Sequence, residues 1–228
     1  MIRPLLLLLL LCSCWLCACA NSTQVAAPVA LVSFENGKSG SAIILPPDTS
    51  GSRILVSAHE LEDGGAIPRS GSCVINGTLS EFTVLASGGT EEGAYAELSV
   101  SVSLPVYPAE LYDFDRTIEP GEEIVVAGFP ARPVSAGGEF RQVYAVEHGR
   151  AFLRPRNSTI SDTRVQLISL SANRPRGLSG GAALVWDEQL ETFVVVGGYY
   201  GHCVWLVTKD GTNLLGHAIY RPPSTLLN

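Results

Sequence analysis

Gly177-Leu178-Ser179-Gly180-Gly181-Ala182 and, far upstream, Ile54-Leu55-Val56-Ser57-Ala58-His59 are the two stretches on which the fold turns. The first sets a serine among glycines, so its hydroxyl and neighbouring backbone N–H groups can face a substrate carbonyl. The second is an apolar run closing on two small residues and a histidine, which reads as a buried strand opening into a turn. Either one alone is a modest signal. In a chain with 23 glycines a serine between glycines can be a tight turn and nothing more. A lone histidine is more often a satisfied core or turn residue than a base. Together they are the equipment of acyl transfer: a hydroxyl nucleophile, and a base to take its proton.

Working outward, the chain shows no long amphipathic helix. Short β-branched runs are separated by Gly, Pro, Asp and Asn, the rhythm of an all-β protein. Strands are expected over Ala30–Phe34, Ser41–Leu45, Arg53–Val56, Cys73–Ile75, Phe82–Leu85 and Tyr95–Val102. A second set follows over Ile124–Ala127, Gln142–Val146, Val165–Ser169, Ala182–Trp186, Phe193–Gly197, Val204–Val207 and His217–Tyr220. Residues 95–102 alternate cleanly, with Ala96, Leu98, Val100 and Val102 on the apolar face. About a dozen strands suit two packed barrels better than one small sandwich. The break falls in Leu104–Gly121, where Pro105, Pro108 and Pro120 interrupt strand periodicity. This gives an N-terminal barrel over 27–104, a linker over 105–121 and a C-terminal barrel over 122–228. His59 then lies in one half and Ser179 in the other, with a cleft expected between them.

The first twenty residues stand apart. Met1-Ile2-Arg3 opens with a positive charge, Leu5 to Leu11 is unbroken leucine, and Ala18-Cys19-Ala20 fits a small-x-small cleavage site. That is a secretory signal peptide over 1–20, too short in its apolar stretch for a good membrane span. Leu16-Cys17-Ala18-Cys19 also resembles a lipobox, in which Cys19 becomes a lipidated N-terminus; Cys17 is an unusual residue for that motif. The mature chain is therefore expected to be exported, either secreted or periplasmic or held at the envelope by a lipid on Cys19, without a spanning segment. A net charge of −7 and only two lysines, Lys38 and Lys209, argue against binding nucleic acid. Hydrophobic residues make up 46% of the chain and charged ones 16%, enough to fill a core and far from a disordered composition. No Cys or His spacing supports a metal, and no cofactor is implied. Outside the signal only Cys73 and Cys203 remain, and they are either one disulfide or two buried thiols.

Several further pieces extend the pattern. Gly40-Ser41-Ala42-Ile43-Ile44 is a Gly-Ser lead into a strand, and Gly216-His217-Ala218-Ile219-Tyr220 closes the last one. Glu119-Pro120-Gly121-Glu122-Glu123-Ile124-Val125-Val126-Ala127-Gly128-Phe129-Pro130 begins the second half. With the A-H turn and G-x-S-G-G, this series resembles the trypsin-like serine proteases of the chymotrypsin fold, bacterial members near the high-temperature-requirement group in particular. The resemblance spans nearly the whole mature chain, on short motifs. It implies two packed antiparallel β-barrels, Ser179 as nucleophile, His59 as general base, and an oxyanion hole from the N–H groups of Gly177 and Ser179. The chain runs only a few residues past the closing segment. The peptide-binding module that often follows in that group is therefore not expected, nor is its trimer; a monomer is.

The third triad member is where the pattern departs. The family carries Asp-x-Ala-x-Leu at a strand head, whereas here Ala94-Tyr95-Ala96-Glu97-Leu98 puts Ala94 in the aspartate's place. Sliding by two residues makes Glu92 the acid, at the cost of a poorer strand. Glu97, Asp113 and Asp115 are outside candidates, and Glu91 and Glu92 can equally be a solvated turn. Leu178 stands where digestive relatives carry the aspartate that pairs with a freed N-terminus, so activation by N-terminal cleavage is not expected. Asn173 and Gly197–His202 would surround the specificity pocket, and no acid there favours an Arg/Lys preference. Tyr199 and Tyr200 can equally be ordinary strand aromatics. The function expected is an exported trypsin-like serine endopeptidase acting on protein or peptide substrates. The alternative is an inactive trypsin-fold module that binds peptides or envelope proteins, and a weaker third reading is a β-sandwich adhesion or carbohydrate-binding module.

Overall fold

The computed structural model describes residues 27–49, 51–89, 94–133, 140–154, 158, 160, 162–171, 176–207 and 213–227. Six strands build a first closed barrel: β1 (Val29–Phe34), β2 (Ser39–Asp48), β3 (Gly51–Ser57), β4 (Ser70–Ile75), β5 (Thr78–Gly88) and β6 (Tyr95–Val100). They close in the order β1-β2-β3-β6-β5-β4, antiparallel throughout. The second barrel uses β7 (Glu123–Gly128), β10 (Ala145–Ala151), β11 (Val165–Leu170), β12 (Ala182–Asp187), β13 (Thr192–Val207) and β14 (Asn213–Tyr220), closing as β10-β11-β14-β13-β12-β7. Between β7 and β10, β8 (Ala131–Pro133) and β9 (Phe140–Gln142) pair as a separate ribbon. The only α-helix among the described residues is one turn, α1 (Ala58–Leu61), directly after β3. No described helix is long and apolar enough to cross a membrane.

Why these segments are strands follows from where their two faces go. Successive side chains on a strand point to opposite sides. On β2, Ala42 and Ile44 enter the first barrel's core, while Ile43 and Leu45 face the layer between the barrels. On β7, Ile124 and Val126 enter the second core, and Val125 and Ala127 face the same middle layer. Both faces are buried, which is why these stretches read as unbroken apolar runs rather than alternating ones. The middle layer also takes Leu55, Tyr95, Leu184, Val195 and Tyr220, with the Tyr95 and Tyr220 rings stacked 6.0 Å apart. One continuous apolar layer therefore welds the barrels. A β-sandwich with a single core is excluded.

Between the barrels, the proline-bearing segment is pinned rather than free. A 3₁₀ turn, Ala109–Leu111, leads to Tyr112, which bridges Val195 of β13 and donates its hydroxyl proton to the Ile44 carbonyl of β2. Burial pushes the Tyr112 phenol well above its usual range. The β4–β5 hairpin turns on Asn76-Gly77, both with positive φ (50° and 86°), the geometry that Asn-Gly supplies in a two-residue turn. Cys73 is a free thiol buried in the first barrel, and burial raises it to about 11, so the disulfide option is not realised and thiolate there is scarce at neutral pH.

Glu97, one of the outside candidates for a triad acid, is committed elsewhere. Its Oε1 accepts from Arg53 Nη1 at 2.8 Å, with both side chains almost wholly buried, and Arg53 also donates to the Pro46 carbonyl. Asp113 and Asp115 are exposed, the latter 3.8 Å from Arg164. Removing one partner of a buried pair leaves an uncompensated charge. Glu97→Ala is therefore expected to cost about 3–5 kcal/mol, read from the urea midpoint of the folded mature chain; a cost within experimental error of zero would show that the pair is not holding β3 to β6.

Candidate active site

The turn carrying Ser179 is shaped by its flanking glycines. Gly177 and Gly180 have φ of +79° and +77°, a left-handed backbone that favours residues without a Cβ. The Gly181 N–H donates to the Leu178 carbonyl at 2.8 Å, closing the turn, and Gly180 N–H donates to Tyr199 of β13 at 2.7 Å. Leu178 is fully buried in the second barrel's core, where an aspartate could not sit unpaired. Neither the Gly177 nor the Ser179 N–H donates to any described residue.

What locates this turn is Ser41 on β2 of the other barrel. Its N–H donates to the Ser179 carbonyl at 2.8 Å, and its hydroxyl donates to the Gly177 carbonyl at 3.1 Å. The same oxygen accepts from the Phe129 N–H at 2.8 Å. A Cβ on Gly180 would overlap the Ser41 carbonyl oxygen, so the turn docks at a distance only glycine allows. Ser57, at the end of β3, adds a hydroxyl bond to the Tyr199 carbonyl at 3.3 Å.

His59 reaches the same place from β3. It sits in α1, whose first residue, Ala58, donates its N–H to the Ala94 carbonyl at 3.0 Å. The imidazole packs edge-on against the Tyr200 ring, centroids 5.2 Å apart. Next to Tyr200, Gly201 leaves the space before the Ser179 hydroxyl open: a Cβ there would stand 3.6 Å from Oγ. His59 and Ser179 are thus brought to one seam between the barrels. They are not joined, however. Among the described residues no hydrogen bond runs from the Ser179 hydroxyl to His59; Nε2 lies 3.1 Å from Glu60 Oε1. The other nitrogen, Nδ1, is buried and has no hydrogen-bond partner among the described residues.

The acid position is explained by register. Ser57 pairs with Tyr95, which puts Ala94 alongside Ala58, and what residue 94 offers α1 is its backbone carbonyl. Glu92 and Glu91 lie outside the described residues, as does Asn173. Behind the serine turn, Tyr199 is buried and its hydroxyl is 2.7 Å from His217 Nδ1. No group of His, Cys, Asp and Glu suited to hold a metal ion is found among the described residues.

Two parts of this site were not read from the sequence. Glu60 is next to His59 in the chain, but adjacency says nothing of which way a side chain turns. Ser41 was visible only as part of a strand motif; that it spans the barrels follows from the docking itself.

No family model matches the chain, and no curated protein matches it by sequence. Solved structures do. The Rv3671c protease from M. tuberculosis in its active form aligns with a TM-score of 0.50 at 19% identity, covering 85% of this chain and 76% of that one. A serine-to-alanine mutant of Rv3671c in an inactive form gives 0.50 at 18% identity, covering 85% and 80%. A Glu endopeptidase in complex with MPD aligns with a TM-score of 0.54 at 17% identity over 91% of both chains. The fold is chymotrypsin-like. At these identities the likeness carries architecture, and chemistry has to be argued from the site. In this chymotrypsin-like frame the histidine belongs to the first barrel and the serine turn to the second, so the site exists only while the barrels stay docked.

That dependence is measurable. Ser41→Ala strips a partner from both Phe129 N–H and Gly177 C=O and is expected to cost about 1–3 kcal/mol. Gly180→Ala adds left-handed strain to a backbone overlap and should cost more. Urea unfolding of both variants orders them, and a neutral Gly180→Ala would mean the turn is not seated on Ser41.

Proposed function

We propose that this chain is an exported serine endopeptidase that cleaves protein or peptide substrates by acyl transfer. The observation that supports it most is the convergence, across the seam of two barrels, of a glycine-flanked serine with unengaged backbone N–H groups and a histidine from the opposite barrel. In this reading Ser179 Oγ attacks the scissile carbonyl. His59 takes the hydroxyl proton and returns it to the leaving amine, and the N–H groups of Gly177 and Ser179 hold the oxyanion. Glu92 is the acid in this reading, two residues ahead of Ala94 in sequence. Support for an acid at that end comes from Nδ1, a buried nitrogen with room for a partner that none of the described residues fills. Losing the acid of such a triad lowers kcat by about 10⁴-fold, so the identity of this residue decides whether the enzyme is fast or slow.

Fluorophosphonate labelling of the folded mature chain tests the reading, with Ser179→Ala as control. Adduct on Ser179 that vanishes in the variant is the expected result. A folded chain that stays unlabelled over long exposure supports the second reading, a non-catalytic module binding peptides or envelope proteins. Ala94 at the acid position and the occupied Nε2 are the observations on that side. Export rests on the leading segment. Mass spectrometry of the chain from its own cells should show a start at Asn21, or a lipidated Cys19; an intact start at Met1 would overturn it.

A further inference from the structure

Glu60 holds a carboxylate in an unusual place. Its side chain is 8% exposed, and its only described partner is His59 Nε2, at 3.1 Å. The nearest lysine does not neutralise it, because Lys38 Nζ is spent on the carbonyls of His59 and Glu62 at 2.7 Å each. Room for the carboxyl comes from Gly40, where a Cβ would lie 3.0 Å from Glu60 Cδ and 3.1 Å from Oε1. The same Cβ would lie 3.0 Å from the Ser179 carbonyl oxygen, so the carboxyl and the serine turn face each other across one glycine.

A carboxylate can only accept, and its negative charge 3.1 Å from Nε2 favours the form in which that nitrogen carries the proton. A neutral imidazole has one proton to place, and with it on Nε2 the buried Nδ1 is a bare lone pair. That suits a nitrogen with no acceptor among the described residues. A general base for Ser179 needs the reverse, with Nδ1 protonated and Nε2 free to accept from Oγ. Two features therefore push His59 toward the idle tautomer: the Glu60 carboxylate beside one nitrogen and, among the described residues, no acceptor at the other.

We propose that Glu60 is a latch on His59, a positioning residue that keeps the imidazole proton on Nε2 and the base idle until the carboxylate moves off. Release exchanges one proton for another. Water delivers a proton to Nδ1 as Nε2 gives its own to solvent, and net charge is unchanged. The freed Nε2 lone pair then faces the serine. Glu60 takes no part in bond making; it acts through His59. The inference rests on His59 and Ser179 being the reacting pair.

Two readouts on the folded mature chain test it. Ring nitrogen NMR shifts of His59, assigned with His59→Gln, report the tautomer whether or not the protein is active; the expected form in the wild type is Nε2–H. Glu60→Ala should move the ring toward Nδ1–H. It should also speed fluorophosphonate labelling of Ser179 by about ten- to a hundredfold, the worth of a hydrogen bond to a charged group. Glu60→Gln keeps the packing and removes the charge, and should fall between, with urea unfolding confirming that each variant is folded. An Nδ1–H wild type overturns the latch, as does slower labelling in both folded Glu60 variants. No labelling in any form overturns the protease reading instead, and the tautomer shift then still decides whether Glu60 controls His59.

Discussion

The whole arrangement hangs on the docking of the Ser179 turn against Ser41. A buried backbone group without a partner is costly, and this turn has carbonyls at Gly177 and Ser179 that its own strands do not satisfy. Ser41, fully buried on the neighbouring barrel, satisfies both, and its hydroxyl also takes the Phe129 N–H. The turn is therefore completed by the other half of the molecule. Close approach is what makes this work, and close approach is why Gly180 has no side chain to offer.

Around that contact the packing is layered. Each barrel has its own core, and a third apolar layer lies between them, built from the outward faces of β2, β3, β7 and β12. On strands buried on both faces a one-residue slip would exchange the two apolar sets. Close packing on either side leaves no room for the exchanged shapes, so the seam holds its geometry. Tyr112 and Arg53 then secure the edges, one by crossing from the linker to β2, the other by fixing β3 to β6. A site assembled across such a seam inherits its rigidity. His59 and Ser179 come from distant parts of the chain and need no loop to bring them together.

The electrostatics of the seam centre on His59. In a partly buried site the tautomer of an imidazole is set by what each nitrogen meets. Here a carboxylate stands 3.1 Å from one nitrogen, and the other has no hydrogen-bond partner among the described residues. The scaffold of a site and the protonation state its chemistry requires are thus separable.

The strands were largely legible in the sequence, because burial on one or two faces leaves a periodic or continuous apolar trace. The errors are informative. Phe193–Gly197 and Val204–Val207 read as two strands, yet β13 runs unbroken from Thr192 to Val207. Gly197, Gly198 and Gly201 look like turn residues, but Gly197 and Gly198 are glycine because Tyr220 presses on the strand there. Gln142–Val146 read as one strand, while Gln142 ends the β8–β9 ribbon and Ala145 starts β10, since the ribbon leaves the barrel between them. The Ser179 turn could be read from a short motif, because the left-handed backbone at Gly177 and Gly180 restricts residue choice there. That Glu60 lies beside Nε2, that Ser41 seats the Ser179 turn and that Glu97 belongs to Arg53 could not. The sequence by itself determined the barrels and the residue types at their seam, through periodicity and glycine placement. Only the tertiary structure decided which polar groups meet there, because partner choice depends on distances between chain segments that no local pattern records.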